Sequence, residues 1–312
     1  MIYEPSTMNL PAKTLIVVAG PTAVGKTAAA IELAKHFNTV VVSADSRQFF
    51  REMSIGTAKP SDEELSQATH YFINSHSITE PFSVGDFEKQ GLALLEELFK
   101  THDHVILAGG SGLYIKAICE GFDDLPSADP AIRERLNQEL EEKGIAHLQE
   151  KLKLADPVYY AEVDLGNPQR IIRALEVFEG SGKPISSYRQ ATVNKRPFNI
   201  VKLALNMPRE VLYNRINQRV DVMMQQGLLA EVEALIPYRQ LNALNTVGYS
   251  EIFDYIDGKT TLDKAIEMIK QNTRRFAKRQ LTWFRRDGQF IWFDAQEADV
   301  IGQMIASVQN AR

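Results

Sequence analysis

The sequence predicts an α/β fold: a parallel-sheet core carrying a phosphate-binding P-loop, interrupted by an all-helical insertion domain. Three observations lead there. The runs Thr14–Ala19, Thr39–Val42 and Val105–Leu107 are β-branched and apolar on both faces, as strands covered by helices on either side are. Helical spacing fills the segments between them. Directly after the first run, Gly20-Pro21-Thr22-Ala23-Val24-Gly25-Lys26-Thr27 fits the pattern G-x-x-x-x-G-K-[ST].

The elements follow in order. The first run ends at Gly20 and hands over to a helix from Lys26 through Phe37; the second ends in SADSRQ. A helix over Asp86–Lys100 puts Phe87, Leu94, Leu95, Leu98 and Phe99 on one face. The third run ends in AGGSG before an apolar stretch, Leu113–Cys119. From Gly121 to about Arg196 only helices are indicated. Asp129 caps one with Pro130 in its first turn, and Asn167 caps another with Pro168 in the same role. Ile132, Leu136 and Leu140 form the stripe of the former; Ile171, Leu175 and Phe178 form that of the latter, which stops at Gly180 before the turn GSGKP. A strand-like run at Ile200–Leu205 then resumes the core, so residues 122–196 read as an insertion into a core made of 1–121 and 197–312. Helical spacing returns from Val211, passes a turn at GYSE (248–251) and continues as a long helix from about Thr261. Phe290–Phe293 is a last short strand.

Composition narrows the class. The 312 residues are 44% hydrophobic and 24% charged, the balance of an ordinary globular protein. One cysteine, Cys119, forms no internal disulfide, and MIYEPSTMNLPAK lacks a charged-then-apolar leader, so a cytoplasmic protein is expected. The apolar run LIVVAG is far shorter than the ~20 residues of a membrane span. His70, His76, His102 and His104 lack ligand spacing for a metal. Cys119 reads as packing. The net charge of -5 argues against a protein basic all over and leaves a local patch open.

The motifs cluster at one edge. In a parallel sheet the loops after the three strands emerge on the same side, where open α/β folds bind ligands. The P-loop turns backbone N–H groups onto phosphate oxygens, Lys26 adds a charge, and the Thr27 hydroxyl can ligate Mg²⁺. Asp45 follows the second strand, and Gly109-Gly110-Ser111-Gly112 follows the third, as a tight turn or a close approach to ligand. A nucleotide-hydrolysing P-loop protein usually carries an acid at a strand end for Mg²⁺, yet VILAGGSG has none and Asp103 precedes its strand. Asp45 is therefore the one well-placed carboxylate expected among these loops.

A second patch lies near the C-terminus. KQNTRRFAKRQLTWFRR, residues 270–286, holds seven basic residues and no acidic one. Lys270, Arg274, Arg275, Lys278, Arg279, Arg285 and Arg286 fall in one half of the helical wheel; Leu262, Ile266, Ile269, Phe276 and Trp283 fall in the other. The basic half suits a phosphate backbone. Trp283, on the apolar arc, reads as a core anchor.

Together GPTAVGKT (20–27), DSRQ (45–48), GTAKP (56–60), FSVGDFEKQ (82–90), GGSGLY (109–114), NPQRIIRALEVF (167–178), RVDVMMQQGLLAEV (219–232), VGYSE (247–251) and AKRQLTWFR (277–285) closely resemble the bacterial tRNA dimethylallyltransferases, also called tRNA isopentenyltransferases. The resemblance implies transfer of a dimethylallyl group from dimethylallyl diphosphate to the exocyclic amine of the adenine 3′-adjacent to the tRNA anticodon, with Mg²⁺ held at Thr27. It implies that Gly20 and Thr22, Ala23, Val24, Gly25, Lys26 and Thr27 contact the diphosphate, that Arg219, or in its place Arg215, reaches it from the helix after the insertion, and that Asp45 is the base. The anticodon stem-loop is expected to meet Asp45, Ser46, Arg47, Gln48, Ser111, Arg133, Gln169, Arg170, Ile171, Ile172, Arg173, Gly248, Tyr249, Lys278, Arg279, Gln280, Thr282, Trp283 and Arg285. The family commonly has threonine where this chain has Ser111, and arginines where it has Asn245 and Ser250. A monomer is expected. The competing expectation is an isopentenyltransferase for free adenine nucleotides, which needs neither the insertion nor the basic helix.

Overall fold

The run Thr14–Ala19 forms β1, central in the sheet of the computed structural model, and all six of its residues are buried. The structure describes residues 13–121, 125–126, 129–188 and 195–311. In chain order the core unit has β1, α1 (Lys26–His36), β2 (Val41–Ser43), α2 (Asp62–Gln67), β3 (His70–Tyr71), α3 (Val84–Thr101), β4 (His104–Gly109) and α4 (Gly112–Glu120). The insertion has α5 (Pro130–Lys143), α6 (Ile145–Ala155), α7 (Pro157–Glu162) and α8 (Pro168–Ser181). The core resumes with β5 (Asn199–Asn206), α9 (Arg209–Gln225), α10 (Leu228–Ala234), α11 (Tyr249–Ile256), α12 (Leu262–Arg286), β6 (Ile291–Asp294) and α13 (Val300–Asn310). The sheet order is β3-β2-β4-β1-β5-β6, and every pairing between these strands is parallel.

Alternation along β1 explains why both faces had to be apolar. Ile16 and Val18 pack with Ala30 and Leu33 of α1, Leu212 and Ile216 of α9, and Met304 and Val308 of α13. Leu15 and Val17 point the other way, onto Phe87, Leu95 and Leu98 of α3, Ile115 and Ile118 of α4, and Phe284 of α12. Register places the C-terminal ends of β1 and β4 side by side, with Ala19 opposite Gly109, and β2 ends beside β4 at Ser43 and Ala108. The three loops therefore leave one edge together. Cys119 is buried in this layer, and burial pushes its thiol up to about 12.

Two features differ from the periodicity. β3 is only two residues long, too short for an alternation to register, and pairs with β2 through Val41 and Val42. GYSE is a helix start: Gly248, at φ +98°, precedes α11, and its N–H donates to the Glu251 carboxylate at 2.8 Å. A third apolar cluster joins Val220 of α9, Leu228 and Val232 of α10, Tyr249 and Ile252 of α11 and Ile269 of α12.

The chain divides into a core, residues 1–120 with 195–312, and a helical unit, residues 121–194. Lys195 and Arg196, expected in the insertion, lie in the core unit. Arg196 donates to the carbonyls of Ile118 and Ala117 at 2.8 and 2.7 Å and pairs with Glu88 at 2.9 Å. Within the helical unit, Leu136, Leu148, Leu152, Ile171, Ile172 and Leu175 form the core. Asp156, buried, accepts from the backbone N–H groups of Tyr159 and Ser186 at 2.9 and 2.8 Å. Among the described residues no helix is long and apolar enough to cross a membrane.

Candidate active site

The P-loop joins β1 to α1 through backbone that glycine permits. Gly20 sits at φ +143°, and a Cβ there would stand 2.6 Å from the Leu205 carbonyl oxygen of β5; Gly25, at φ +107°, caps α1. Lys26 curls back so that Nζ donates to the Pro21 carbonyl at 2.8 Å. Burial lowers its pKa to about 8; the Asp45 charge opposes that shift and the Arg219 charge adds to it. Gly20 and Val24 support the loop from below and do not line the cavity beside it.

That cavity, about 550 Å³, is where the sequence motifs converge: Thr22, Ala23, Gly25, Lys26 and Thr27 from the P-loop, Asp45, Ser46, Arg47 and Gln48 after β2, and Ser111 after β4 all line it. Asp45 Oδ1 accepts the Arg47 backbone N–H at 3.0 Å, an Asx turn that fixes the carboxylate in place. The Ser111 hydroxyl accepts from the Ser46 N–H at 3.0 Å and lies 3.2 Å from its hydroxyl, locking the β2 and β4 loops together. Gln48 is spent on the Thr57 and Ala58 carbonyls at 3.3 and 3.1 Å, where it braces the GTAKP segment. Arg215 and Arg219, one turn apart on α9, both line the cavity, and an Arg215 terminal nitrogen stands 4.0 Å from where a Gly25 Cβ would be. Burial and the Arg215 charge lower the Arg219 pKa. Asp45 is not the one carboxylate here: Glu64 of α2, whose short helix escaped the sequence reading, also lines the cavity.

The glycines of GGSG answer to packing against α12. Gln280 Oε1 accepts the Thr22 N–H at 2.8 Å and its Nε2 donates to the Gly110 carbonyl at 2.9 Å, so one amide ties the P-loop to the β4 loop. A Cβ on Gly110 would fall 2.3 Å from that Nε2, and one on Gly112 would fall 2.1 Å from Trp283 Cδ1. Gln280 is buried in this brace and at the same time lines the P-loop cavity. Trp283 departs from the core position expected of it. Its side chain lies over Gly112 and remains 39% exposed, and Phe276 is 38% exposed, because the buried arc of α12 runs through Ala265, Ile269, Ala277, Gln280 and Phe284. Lys278, Arg279, Thr282 and Arg285 are exposed, outside the P-loop cavity.

Glu231 was not singled out from sequence. Its carboxylate accepts the backbone N–H groups of Ser54, Ile55 and Gly56 at 3.0, 2.7 and 3.0 Å and the Tyr249 hydroxyl at 2.6 Å. Tyr249, expected to touch RNA, is fully buried; burial and the Glu231 charge push its phenol pKa up, so it stays a donor. Gly56 lies against its ring, and Ile55 through Lys59 form a wall of the cavity. A glutamine at 231 offers one acceptor and turns an NH₂ toward N–H donors. Glu231→Gln is therefore expected to cost at least ~1–3 kcal/mol of stability and to raise KM, read by thermal denaturation and initial rates; an unchanged melting temperature counts against the brace.

In the helical unit, Gln169 and Arg170 are exposed in the first turn of α8. Ile171 and Ile172, expected at the RNA, are buried in that unit's core, 0% and 1% exposed, because the apolar stripe of α8 passes through both. Arg133 pairs through two nitrogens with Glu176, whose side chain is 0% exposed, and Arg173 lies 3.5 Å from the same carboxylate and donates to the Pro126 carbonyl at 3.0 Å. Glu176 thus orders two of the expected arginines. It sits on the buried face of α8, and periodicity gave no hint of a charge there.

Among the described residues no cluster of three or more His, Cys, Asp or Glu could hold a metal by itself. The Thr27 hydroxyl and the Asp45 carboxylate border the same cavity. This hard, sparse oxygen set suits Mg²⁺ arriving with phosphate oxygens and water, not an all-protein site.

Comparison with known proteins follows this geometry. The family model IPP transferase matches residues 48–287. A tRNA dimethylallyltransferase of Christiangramia forsetii is 55% identical over 283 residues, covering 91% of this chain and 94% of its own length. One from Cytophaga hutchinsonii is 52% identical, covering 96% and 98%. Among solved structures, the tRNA isopentenylpyrophosphate transferase of Bacillus halodurans aligns with a TM-score of 0.71 at 36% identity, over 96% of this chain and 98% of its own. A eukaryotic dimethylallyltransferase acting on tRNA aligns at 0.78 and 26% identity, over 96% and 79%. With a family model spanning most of its length and relatives this similar end to end, the chain belongs to the IPP transferase family.

Proposed function

We propose that the protein transfers a dimethylallyl group from dimethylallyl diphosphate to the exocyclic amine of the adenine 3′-adjacent to the anticodon in tRNA. The observation that carries this is the single cavity in which P-loop amides, Lys26, Arg215 and Arg219 face the Asp45 carboxylate. The diphosphate lies along the P-loop, with Lys26 and the two arginines taking its charge. As the allylic C–O bond breaks, negative charge builds on the departing diphosphate and positive charge on the allylic carbon. Cations held in the lining of the leaving group's site lower that barrier. The adenine nitrogen forms the new C–N bond, and its proton passes to Asp45. Mg²⁺ bound at Thr27 would add charge neutralisation on the phosphate oxygens.

The deciding experiment incubates the protein with labelled dimethylallyl diphosphate and either unmodified tRNA or AMP. Label in the tRNA is expected; label in AMP alone would install the free-nucleotide enzyme instead.

The exposed cations of α12 supply RNA affinity on a chain of net charge -5. Changing Lys278 and Arg279 together to Gln is expected to weaken anticodon stem-loop binding and to flatten the slope of log K against log salt by about one unit or less per lost contact. Filter binding across a salt series reads this, and an unchanged slope would leave the face merely solvated.

A further inference from the structure

The P-loop cavity changes character along its length, and α9 lays out the gradient. Arg215, Arg219 and Met223 follow one another a turn apart on that helix, and all three line the cavity. Arg215 stands beside the P-loop at Gly25. At ~1.5 Å of rise per residue, Met223 lies roughly 12 Å further along the helix axis. Among the described residues, α9 contributes no charge to the lining past Arg219, and α12 contributes none at all. The lining there belongs to the third apolar cluster instead: Ile55, Val220, Met223, Val247 and Ile269 are packed in that cluster and border the cavity as well. Val220 and Ile269 are buried, whereas Ile55 and Met223 are only partly so and present side-chain surface to the cavity. The backbone behind Ile55 is held, because Glu231 binds the N–H groups of Ile55 and Gly56, and Gly56 lies against the Tyr249 ring. An occupant that fits both ends is an anion at the P-loop joined to a short hydrocarbon at Met223.

We propose that Met223, together with Ile55, sets the length of the prenyl chain that the enzyme transfers, admitting one isoprene unit and excluding the two of a geranyl chain. The inference rests on the donor reading above, and it adds the residues that choose among prenyl donors. The chemistry is the same for either chain: the allylic C–O bond breaks, the diphosphate leaves with the electron pair, the C–N bond forms, and the amine proton passes to Asp45. What differs is where a second isoprene unit would go. With the diphosphate fixed at the P-loop, it meets the space held by Met223 and Ile55, and the cavity of about 550 Å³ has the adenine to admit as well. Methionine suits the position, since its unbranched thioether follows the shape of the terminal methyl groups. Truncation of either side chain to alanine removes three heavy atoms, so the pair frees room for about one isoprene unit.

The test compares kcat/KM for dimethylallyl and geranyl diphosphate, with an anticodon stem-loop as acceptor and the product identified by mass. It uses the wild type, Met223→Ala, Ile55→Ala combined with Met223→Ala, and Met224→Ala. The wild type should prefer the shorter donor by at least ~10–200-fold, the discrimination that one surplus methylene meets in an apolar pocket. Met223→Ala should narrow that preference by about tenfold or more, with geranylated RNA appearing, and the combined variant should narrow it further. Met224 packs in the same cluster without lining the cavity, so Met224→Ala removes the same atoms from the same layer and should keep the wild-type ratio. A wild type that uses both donors alike, a ratio unmoved in Met223→Ala and in the combined variant, or an equal shift in Met224→Ala overturns the proposal. If Met223→Ala fails to fold by circular dichroism, Met223→Val and Ile55→Val carry the same comparison. A wild type that transfers neither chain to the stem-loop would sink the transferase reading itself, a result distinct from normal dimethylallyl transfer with an unmoved ratio.

Discussion

Asp45→Asn is expected to lower kcat by roughly 10²–10⁴-fold while leaving tRNA affinity nearly unchanged. Asparagine keeps an oxygen at Oδ1 to accept the Arg47 N–H, so the loop after β2 stands and Ser46 stays bonded to Ser111. What disappears is the proton acceptor. A second consequence follows from charge: Asp45 opposes the downward shift of Lys26, so removing its charge should move the Lys26 titration still lower. Single-turnover rates against pH, with stem-loop binding measured in parallel, read both. Lost RNA binding with a normal chemical step would make Asp45 a positioning residue.

Lys26→Ala should reduce kcat/KM by ~10²-fold or more, as for removal of one fixed charge on a leaving group. In the wild type this charge is itself pH-dependent. With a pKa near 8, Lys26 of the free enzyme loses its proton as pH rises through that value, and kcat/KM for the diphosphate donor should fall with it. Stability responds with the opposite sign. The folded pKa lies below the 10.5 of an ordinary lysine, so between about 8 and 10.5 the folded chain holds fewer protons than the unfolded one, and the Lys26 contribution to stability rises with pH across that window. An alanine variant that keeps the alkaline fall in kcat/KM would assign that limb to another group.

Much of this was readable in the chain because the same residues satisfied two demands. A strand buried on both faces must be apolar throughout, so β1 was visible to the residue, and a loop that wraps phosphate must carry glycine at fixed spacing. The cavity could be anticipated because parallel strands deliver their loops to one edge. Other features had no such double constraint. β3 and α2 are too short to show a period. The α12 wheel, drawn on hydrophobicity, placed Phe276 and Trp283 inward; packing instead selects small Ala265 and Ala277, which let the helix approach closely, and the polar Gln280, which finds partners there. Glu231 and Glu176 were silent because a glutamate reads as surface until the backbone N–H groups or arginines around it are known. Tyr249, Ile171 and Ile172 lie in segments resembling functional motifs, yet their side chains hold those segments in shape.

The amide that joins Thr22 to Gly110 also bears on how this chain can vary by descent. Positions 110 and 280 lie 170 residues apart, yet neither can change alone at low cost: any side chain at 110 enters the space of the Gln280 amide, and a shorter residue at 280 strips the Thr22 N–H of its acceptor. The two positions are coupled: a smaller polar residue at 280 relieves the contact with an alanine at 110, while the loss of the Thr22 acceptor is already incurred by that change. Gly110→Ala should therefore be more damaging in the native background than in one already carrying Gln280→Ser. The cost of a change at either position therefore depends on the residue at the other, across the phosphate loop and the basic helix.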